Sequence, residues 1–173
     1  MKRINWVQFR WDLTALPGVF SELPEHYQIS PATADDEKEL RRVVTASFAL
    51  DPEWNTTMQE VMQTVEAWVE DTLQRDANGC LVLRHGSRII GGSVLSLNAE
   101  ATNHLSPGPC VLMEYRNRGF GTHLLGRSLA ALRDHGMTRA VAIAKENSPV
   151  TKFLYTKFDG VASGHDATPL AVA

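Results

Sequence analysis

Cysteine is scarce in this 173-residue chain: Cys80 and Cys110 stand alone, with no C-x-x-C spacing and no histidine at metal-ligand intervals. That excludes a disulfide framework and a cysteine-based metal site, and no metal is expected. Both thiols sit in apolar, strand-like stretches and read as buried and reduced, and neither carries the local signature of a nucleophile. No run approaches the roughly 18 consecutive apolar residues of a membrane span. The first residues also lack the apolar core of a secretory signal, so the expected location is cytoplasmic, with no membrane partner. Internal repeats and low-complexity segments are missing too. A net charge of −3 is too small and of the wrong sign for nucleic acid to be the main partner.

What is present is ordinary globular material, 43% apolar and 21% charged, in a length suited to one buried core and too short for two ordinary domains. The charge is unevenly spread. Residues 1–110 hold nine Lys and Arg against fifteen Asp and Glu, residues 111–157 hold eight against three, and the remainder holds none against two. The middle segment is therefore basic, as a site for a polyanion would be.

Residues 111–126, VLMEYRNRGFGTHLLG, pass from an apolar run through a turn rich in Arg and Gly into a helix expected to open at Thr122. The N-terminus of a helix carries unpaired N–H groups and partial positive charge, and it favours phosphate oxygens. Gly119 and Gly121 have no Cβ to hold a ligand away, while Arg116 and Arg118 add planar, charge-assisted donors. Shape, dipole and charge coincide in one turn.

The run Arg116-Asn117-Arg118-Gly119-Phe120-Gly121 resembles the R/Q-x-x-G-x-G/A signature of the GNAT-type N-acetyltransferase superfamily, whose loop grips the pyrophosphate of acetyl-CoA. Asn147 and, just beyond it, PVTKFLYTKF are similar to that family's second signature, and the resemblance spans roughly residues 27–158. It implies an α/β (α+β) fold, a mixed and mostly antiparallel sheet with helices on both faces, and acetyl-CoA as co-substrate. Cofactor contacts would then come from Val111, Leu112, Met113, Arg116, Arg118, Gly119, Phe120, Gly121, Thr122 and Asn147. In the family the central strand bulges and splays from its neighbour, and the pantetheine arm runs along the exposed backbone. Val111 and Met113 would make those main-chain contacts, and Tyr155 would be the catalytic proton donor to the departing thiolate. The acceptor implied is a primary amine of a small molecule or a protein.

Periodicity orders the rest of the chain. Residues 1–26 read as an extension with an added strand near Trp6 and a wrapping loop, and residues 27–173 as the GNAT-like domain. Strands are expected at 27–34, 80–84, 88–97, 110–113 and 139–144, with 98–109 as a loop. Helices are expected from Asp35 to about Asp51, over 56–74, over 122–135 and over 149–157. The Gly91-Gly92 pair inside a strand suggests a bulge or a close backbone approach.

Two features depart from the family. Leu105 stands where some members carry an acid, which leaves His104, Glu100 and Glu146 as candidate bases, His104 reading as a solvated loop residue. Only 15 residues follow Phe158, where the family usually ends in two strands. The sheet would then be completed by the N-terminal strand or by a partner chain, which makes a homodimer an expectation. Two other readings remain open: a dinucleotide-binding fold, poorly matched because Leu124 replaces the third glycine, and a non-catalytic acyl-CoA-binding or protein-interaction member of the same fold.

Overall fold

The computed structural model describes residues 5–17, 20–49, 63, 67, 69, 70 and 79–165. Strands β1 (Trp6–Asp12), β2 (Tyr27–Pro31), β3 (Cys80–His85), β4 (Arg88–Leu95), β5 (Leu105–Val111), β6 (Arg139–Lys145) and β7 (Val161–His165) form two sheets. One has the order β2-β3-β4-β5, and the other β6-β1-β7. Helix α1 (Glu37–Ala49) and helix α2 (Phe120–Asp134) lie on opposite faces. Each sheet is antiparallel throughout.

Helical spacing explains the packing. Leu40, Val43 and Val44 of α1 are buried with Cys80, Val82 and Val94, whereas Leu124 of α2 is buried with Leu81, Leu83 and Ile90. Strand β3 is thus covered on both faces, as its uninterrupted apolar sequence CLVL requires. Helix α2 starts at Phe120, two residues before the expected Thr122, and ends at Gly136 in a left-handed cap with φ +95°. Gly91 and Gly92 do mark a close approach: a Cβ at Gly91 would lie 2.6 Å from the Cys110 carbonyl oxygen, and one at Gly92 2.7 Å from a Leu40 methyl.

Three expectations need correction. Residues 105–109 are strand and not loop, while Met113 lies in a 3-10 turn beyond the strand. The two prolines that signalled a loop are tolerated because of where they sit. Pro107 falls in a bulge between the Leu95↔Leu105 and Val94↔Gly108 pairs, and Pro109 turns its missing N–H away from β4. The helix expected at 149–157 is a single π-helical turn, Val150–Leu154, followed by a 3-10 turn, Lys157–Asp159. The N-terminal strand does enter the sheet, but inside it, between β6 and β7. Most of the helix expected at 56–74 lies outside the described residues, and Gln63, Ala67, Val69 and Glu70 within it are helical.

Strands β5 and β6 are the facing edges of the two sheets, and they join only at one end. His104, just before β5, makes the joint. Its N–H donates to the Val141 carbonyl at 2.7 Å, and its Nδ1 accepts the Val141 N–H at 3.0 Å. Asn103 Oδ1 accepts the next inward N–H, that of Ile143, at 3.4 Å. The remaining ring nitrogen of His104 donates to the Asn98 carbonyl at 3.0 Å. Both nitrogens are occupied and the ring is buried, so His104 is a neutral structural pin and not the solvated residue expected from the sequence.

Burial, opposed by the bond to Asn98 and helped by the Arg139 charge, holds the His104 pKa below its ordinary value. The folded state therefore binds a proton at His104 less readily than the unfolded chain, whose histidine titrates near about 6.5. This contribution to stability is whole above that pH and is lost as pH falls below it. Urea unfolding should show stability decreasing from pH 7.5 to 5.5. His104→Leu should cost about 1–3 kcal/mol at pH 7.5, by leaving the Val141 N–H without its acceptor, and should flatten that slope. An unchanged slope in the variant would assign the pH dependence to other groups.

Candidate functional site

The turn between β5 and α2 has the form of an anion cradle. Asn117 and Gly119 both adopt left-handed backbone, φ +63° and +85°, which turns successive N–H groups toward one side. Gly119 is the N-cap of α2 and supplies no side-chain cap, so the first-turn N–H groups of this 15-residue helix have no side-chain acceptor from the cap. A Cβ at Gly119 would meet nothing within 4 Å, so glycine is needed there for its φ and not for space. A cavity of about 380 Å³ opens beside it, lined by Gly119, Thr122, His123, Phe158, Pro17, Phe20 and Ser21.

Both arginines of the turn are oriented. Arg116 Nε donates to the Val111 carbonyl at 3.0 Å, which fixes the guanidinium while its two terminal nitrogens extend beyond that bond. The Arg118 guanidinium stands 5.4 Å from the centre of the Tyr115 ring. That ring is held by a 2.9 Å hydrogen bond between its hydroxyl and His85 Nδ1, and Phe120 is anchored 4.6 Å from the Tyr27 ring. The turn is thus braced from beneath by aromatic contacts to β2 and β3.

Beyond the His104 joint, β5 and β6 run as separate edges. Leu112 donates its N–H to the Ile90 carbonyl at 2.8 Å, which places Leu112 in the β4–β5 ladder. By the alternation of an antiparallel pair, the N–H and C=O of Val111 face the gap. The Met113 side chain is 58% exposed past the end of the strand, and its carbonyl accepts the Arg116 N–H at 3.1 Å. Asn147 sits exposed in the turn after β6, with φ +61°. Ser148 rather than Asn147 caps the next turn, its hydroxyl accepting the Thr151 N–H at 3.3 Å.

The π turn leads into Tyr155, which packs between β1 and β5. Its N–H bonds five residues back, to the Val150 carbonyl at 2.8 Å, and such wide turns recur at functional sites. The ring is 3% exposed, packed with Phe9, Trp11 and Leu105. The hydroxyl approaches Gly108 so closely that a Cβ there would lie 2.9 Å from it. Gly108 also has φ +82°, so glycine is required twice over. Burial pushes the Tyr155 pKa well above the ordinary tyrosine value, with the Cys110 thiol adding to the effect, so the hydroxyl stays protonated.

The structure sets the Tyr155 hydroxyl beside Gly108 of β5, turns the Val111 backbone away from β4, opens a cavity at Gly119 and Thr122, and leaves Asn147 exposed in the turn after β6. Of the candidate bases, His104 is tied up in the joint, and Glu100 and Glu146 are exposed. Sequence reasoning missed Gly108, whose Pro-Gly-Pro setting reads as loop, and the part played by Phe9 and Trp11. No group of three or more His, Cys, Asp or Glu able to hold a metal occurs among the described residues. No helix among them is long and apolar enough to cross a membrane.

Comparison with known proteins follows the same outline. No curated protein matches the sequence. A GCN5-related N-acetyltransferase from Sphaerobacter thermophilus has a similar fold, with a TM-score of 0.66 at 14% identity over 94% of this chain and 50% of that one. A GNAT-family acetyltransferase from Colwellia psychrerythraea gives 0.67 at 12% identity over 93% and 53%. The PaiA N-acetyltransferase from Thermoplasma acidophilum, solved with coenzyme A, gives 0.52 at 16% identity over 64% and 74%. The chain spans about half the length of the first two. Residues 37–159, well over half of the sequence, match the model of the acetyltransferase (GNAT) family, and the chain belongs to that family.

Proposed function

We propose that the chain binds acetyl-CoA along the β5–β6 gap and transfers its acetyl group directly to a primary amine of a small molecule or a protein. The observation that carries this reading is the buried Tyr155 ring, its hydroxyl held against Gly108 of β5, the strand whose backbone at Val111 turns away from β4. From there the hydroxyl would donate to a cofactor sulfur lying beside β5. Family membership and the coenzyme A held by the Thermoplasma relative support the same ligand.

The residues divide the work. The 116–122 turn would hold the pyrophosphate through its N–H groups and the two arginines. The Val111 N–H, facing the gap, would polarise the thioester carbonyl in the manner of an oxyanion hole. Attack by a neutral amine forms the C–N bond and breaks the C–S bond, and Tyr155 O–H gives its proton to the sulfur that leaves. A tyrosine made less acidic by burial can still do this, because burial weakens a thiol in the same way. Within this protein the buried thiols of Cys80 and Cys110 are pushed up to about 12 and about 11. A sulfur leaving into buried surroundings would likewise hold a proton more firmly. With His104 tied into the joint and Glu100 and Glu146 exposed, solvent would take the amine proton.

Calorimetric titration of acetyl-CoA should give affinity near micromolar, about −8 kcal/mol, weakening with salt, and NADH should give none. Binding of NADH alone would overturn the ligand assignment. Arg116→Ala should reduce acetyl-CoA affinity by about 1.5 kcal/mol, the worth of a charged hydrogen bond.

Turnover is read by thiol release across spermidine, lysine, an aminoglycoside and a peptide with a free N-terminus. Tyr155→Phe should lower kcat by the order of 10²-fold while acetyl-CoA affinity holds within about two-fold. Tight acetyl-CoA binding without turnover on any amine would favour the non-catalytic acyl-CoA-binding reading.

A further inference from the structure

Strand β1 lies outside the matched family segment, residues 37–159, yet its aromatic side chains surround Tyr155. The Trp11 ring meets the Tyr155 ring edge to face, at 5.2 Å between centres and 86° between planes. Phe9 adds a second edge contact at 5.6 Å and 69°, and Phe9 and Trp11 stack on each other at 6.1 Å. All three rings are almost wholly buried.

Trp11 also holds the backbone just beyond Tyr155. Its Nε1–H donates to the Lys157 carbonyl at 3.0 Å. Phe158 and Asp159 that follow are both left-handed, with φ +57° and +61°, an unfavourable pair for residues with a Cβ. The chain then closes over the indole at Gly160, where a Cβ would sit 2.7 Å from Trp11 Nε1 and overlap the Tyr155 carbonyl oxygen. Tyr155 itself stands at the end of a five-residue π turn with only short turns after it. Its ring thus lies between the β1 aromatics and Gly108.

We propose that Trp11 and Phe9 are positioning residues that hold the Tyr155 hydroxyl against Gly108, making the N-terminal strand a working part of the acetyl-transfer site. The inference rests on reading Tyr155 as the proton donor. Proton transfer demands hydrogen-bond reach, and a misplacement of about 1 Å can lower a rate by the order of 10²-fold. Leucine at position 11 would remove the edge contact and the bond to Lys157 together. Phenylalanine would keep a ring and lose the bond.

The test is a double-mutant cycle in the full chain with Trp11→Phe, Trp11→Leu, Phe9→Leu and Tyr155→Phe. Thiol release from acetyl-CoA is followed with the best amine of the screen above and with water alone, and acetyl-CoA affinity and urea stability are measured for every variant. Trp11→Leu should lower kcat at least ten-fold, and Trp11→Phe less, while KM and Kd for acetyl-CoA stay within two-fold. Combined with Tyr155→Phe, either change should lower kcat no further than Tyr155→Phe alone, because a misplaced donor and an absent one are equivalent. Independent, multiplying losses would overturn the proposal, as would kcat and Kd falling together in step with stability. If Trp11→Leu fails to fold, Trp11→Phe and Phe9→Leu complete the cycle with the same criteria. Absent turnover in the parent protein, or full activity of Tyr155→Phe, would instead overturn the proton-donor reading beneath it.

Discussion

Where β5 and β6 part, two strand edges face one another without forming a ladder, and the candidate site depends on that gap. Unpaired strand edges are ordinarily a liability, because their N–H and C=O groups recruit other chains. Here the gap is pinned shut at one end by His104 and Asn103, whose side chains stand in for a neighbouring strand and accept the Val141 and Ile143 N–H groups. Side-chain acceptors can end a pairing where a backbone would continue it. The separation that follows gives an extended ligand room to lie beside β5.

The same gap explains why small and large residues alternate around it. Gly108, at a bulge and with positive φ, leaves the space that the Tyr155 hydroxyl enters. On the other side of the tyrosine, Phe9 and Trp11 fill the volume between β1 and the turns after β6. The anion cradle at Gly119 differs in kind: polar, exposed and built from backbone conformation, it carries dipole and charge where the tyrosine pocket carries dryness. A nucleotide-linked thioester has this same division between an anionic end and an apolar, reactive one.

Much of this was legible in the sequence where local chemistry decides the outcome. The Arg- and Gly-rich turn, the left-handed stop at Gly136 and the close approach at Gly91-Gly92 follow from residues whose backbone preferences are strong. What was not legible depends on partners far away in the chain. Pro107 and Pro109 read as loop because nothing local shows that a bulge absorbs one and that the other faces away from the ladder. His104 read as solvated because its acceptor and donor partners at Asn98 and Val141 are set by tertiary structure. The helix expected at 149–157 from its opening Pro149 is instead a π turn, Val150–Leu154, after which Tyr155 packs beside Trp11 and Gly108, partners distant in the chain.

The position of β1 between β6 and β7 has a further meaning for how the chain comes together. The sheet β2-β3-β4-β5 can form from strands that follow one another, two of them joined by a tight hairpin, and both helices pack onto it. The other sheet cannot, because Trp6 pairs with Lys145 on one side and with His165 on the other. Closing so long a loop adds little to the equilibrium cost, which grows only with the logarithm of length, but contacts of such separation slow folding. On the ribosome β1 would emerge well before its partners β6 and β7 and wait, aromatic and unpaired, until almost all the described chain had followed. The pocket around Tyr155 would then be among the last parts to assemble, so a nascent chain could shape its anion cradle before the Tyr155 ring was enclosed.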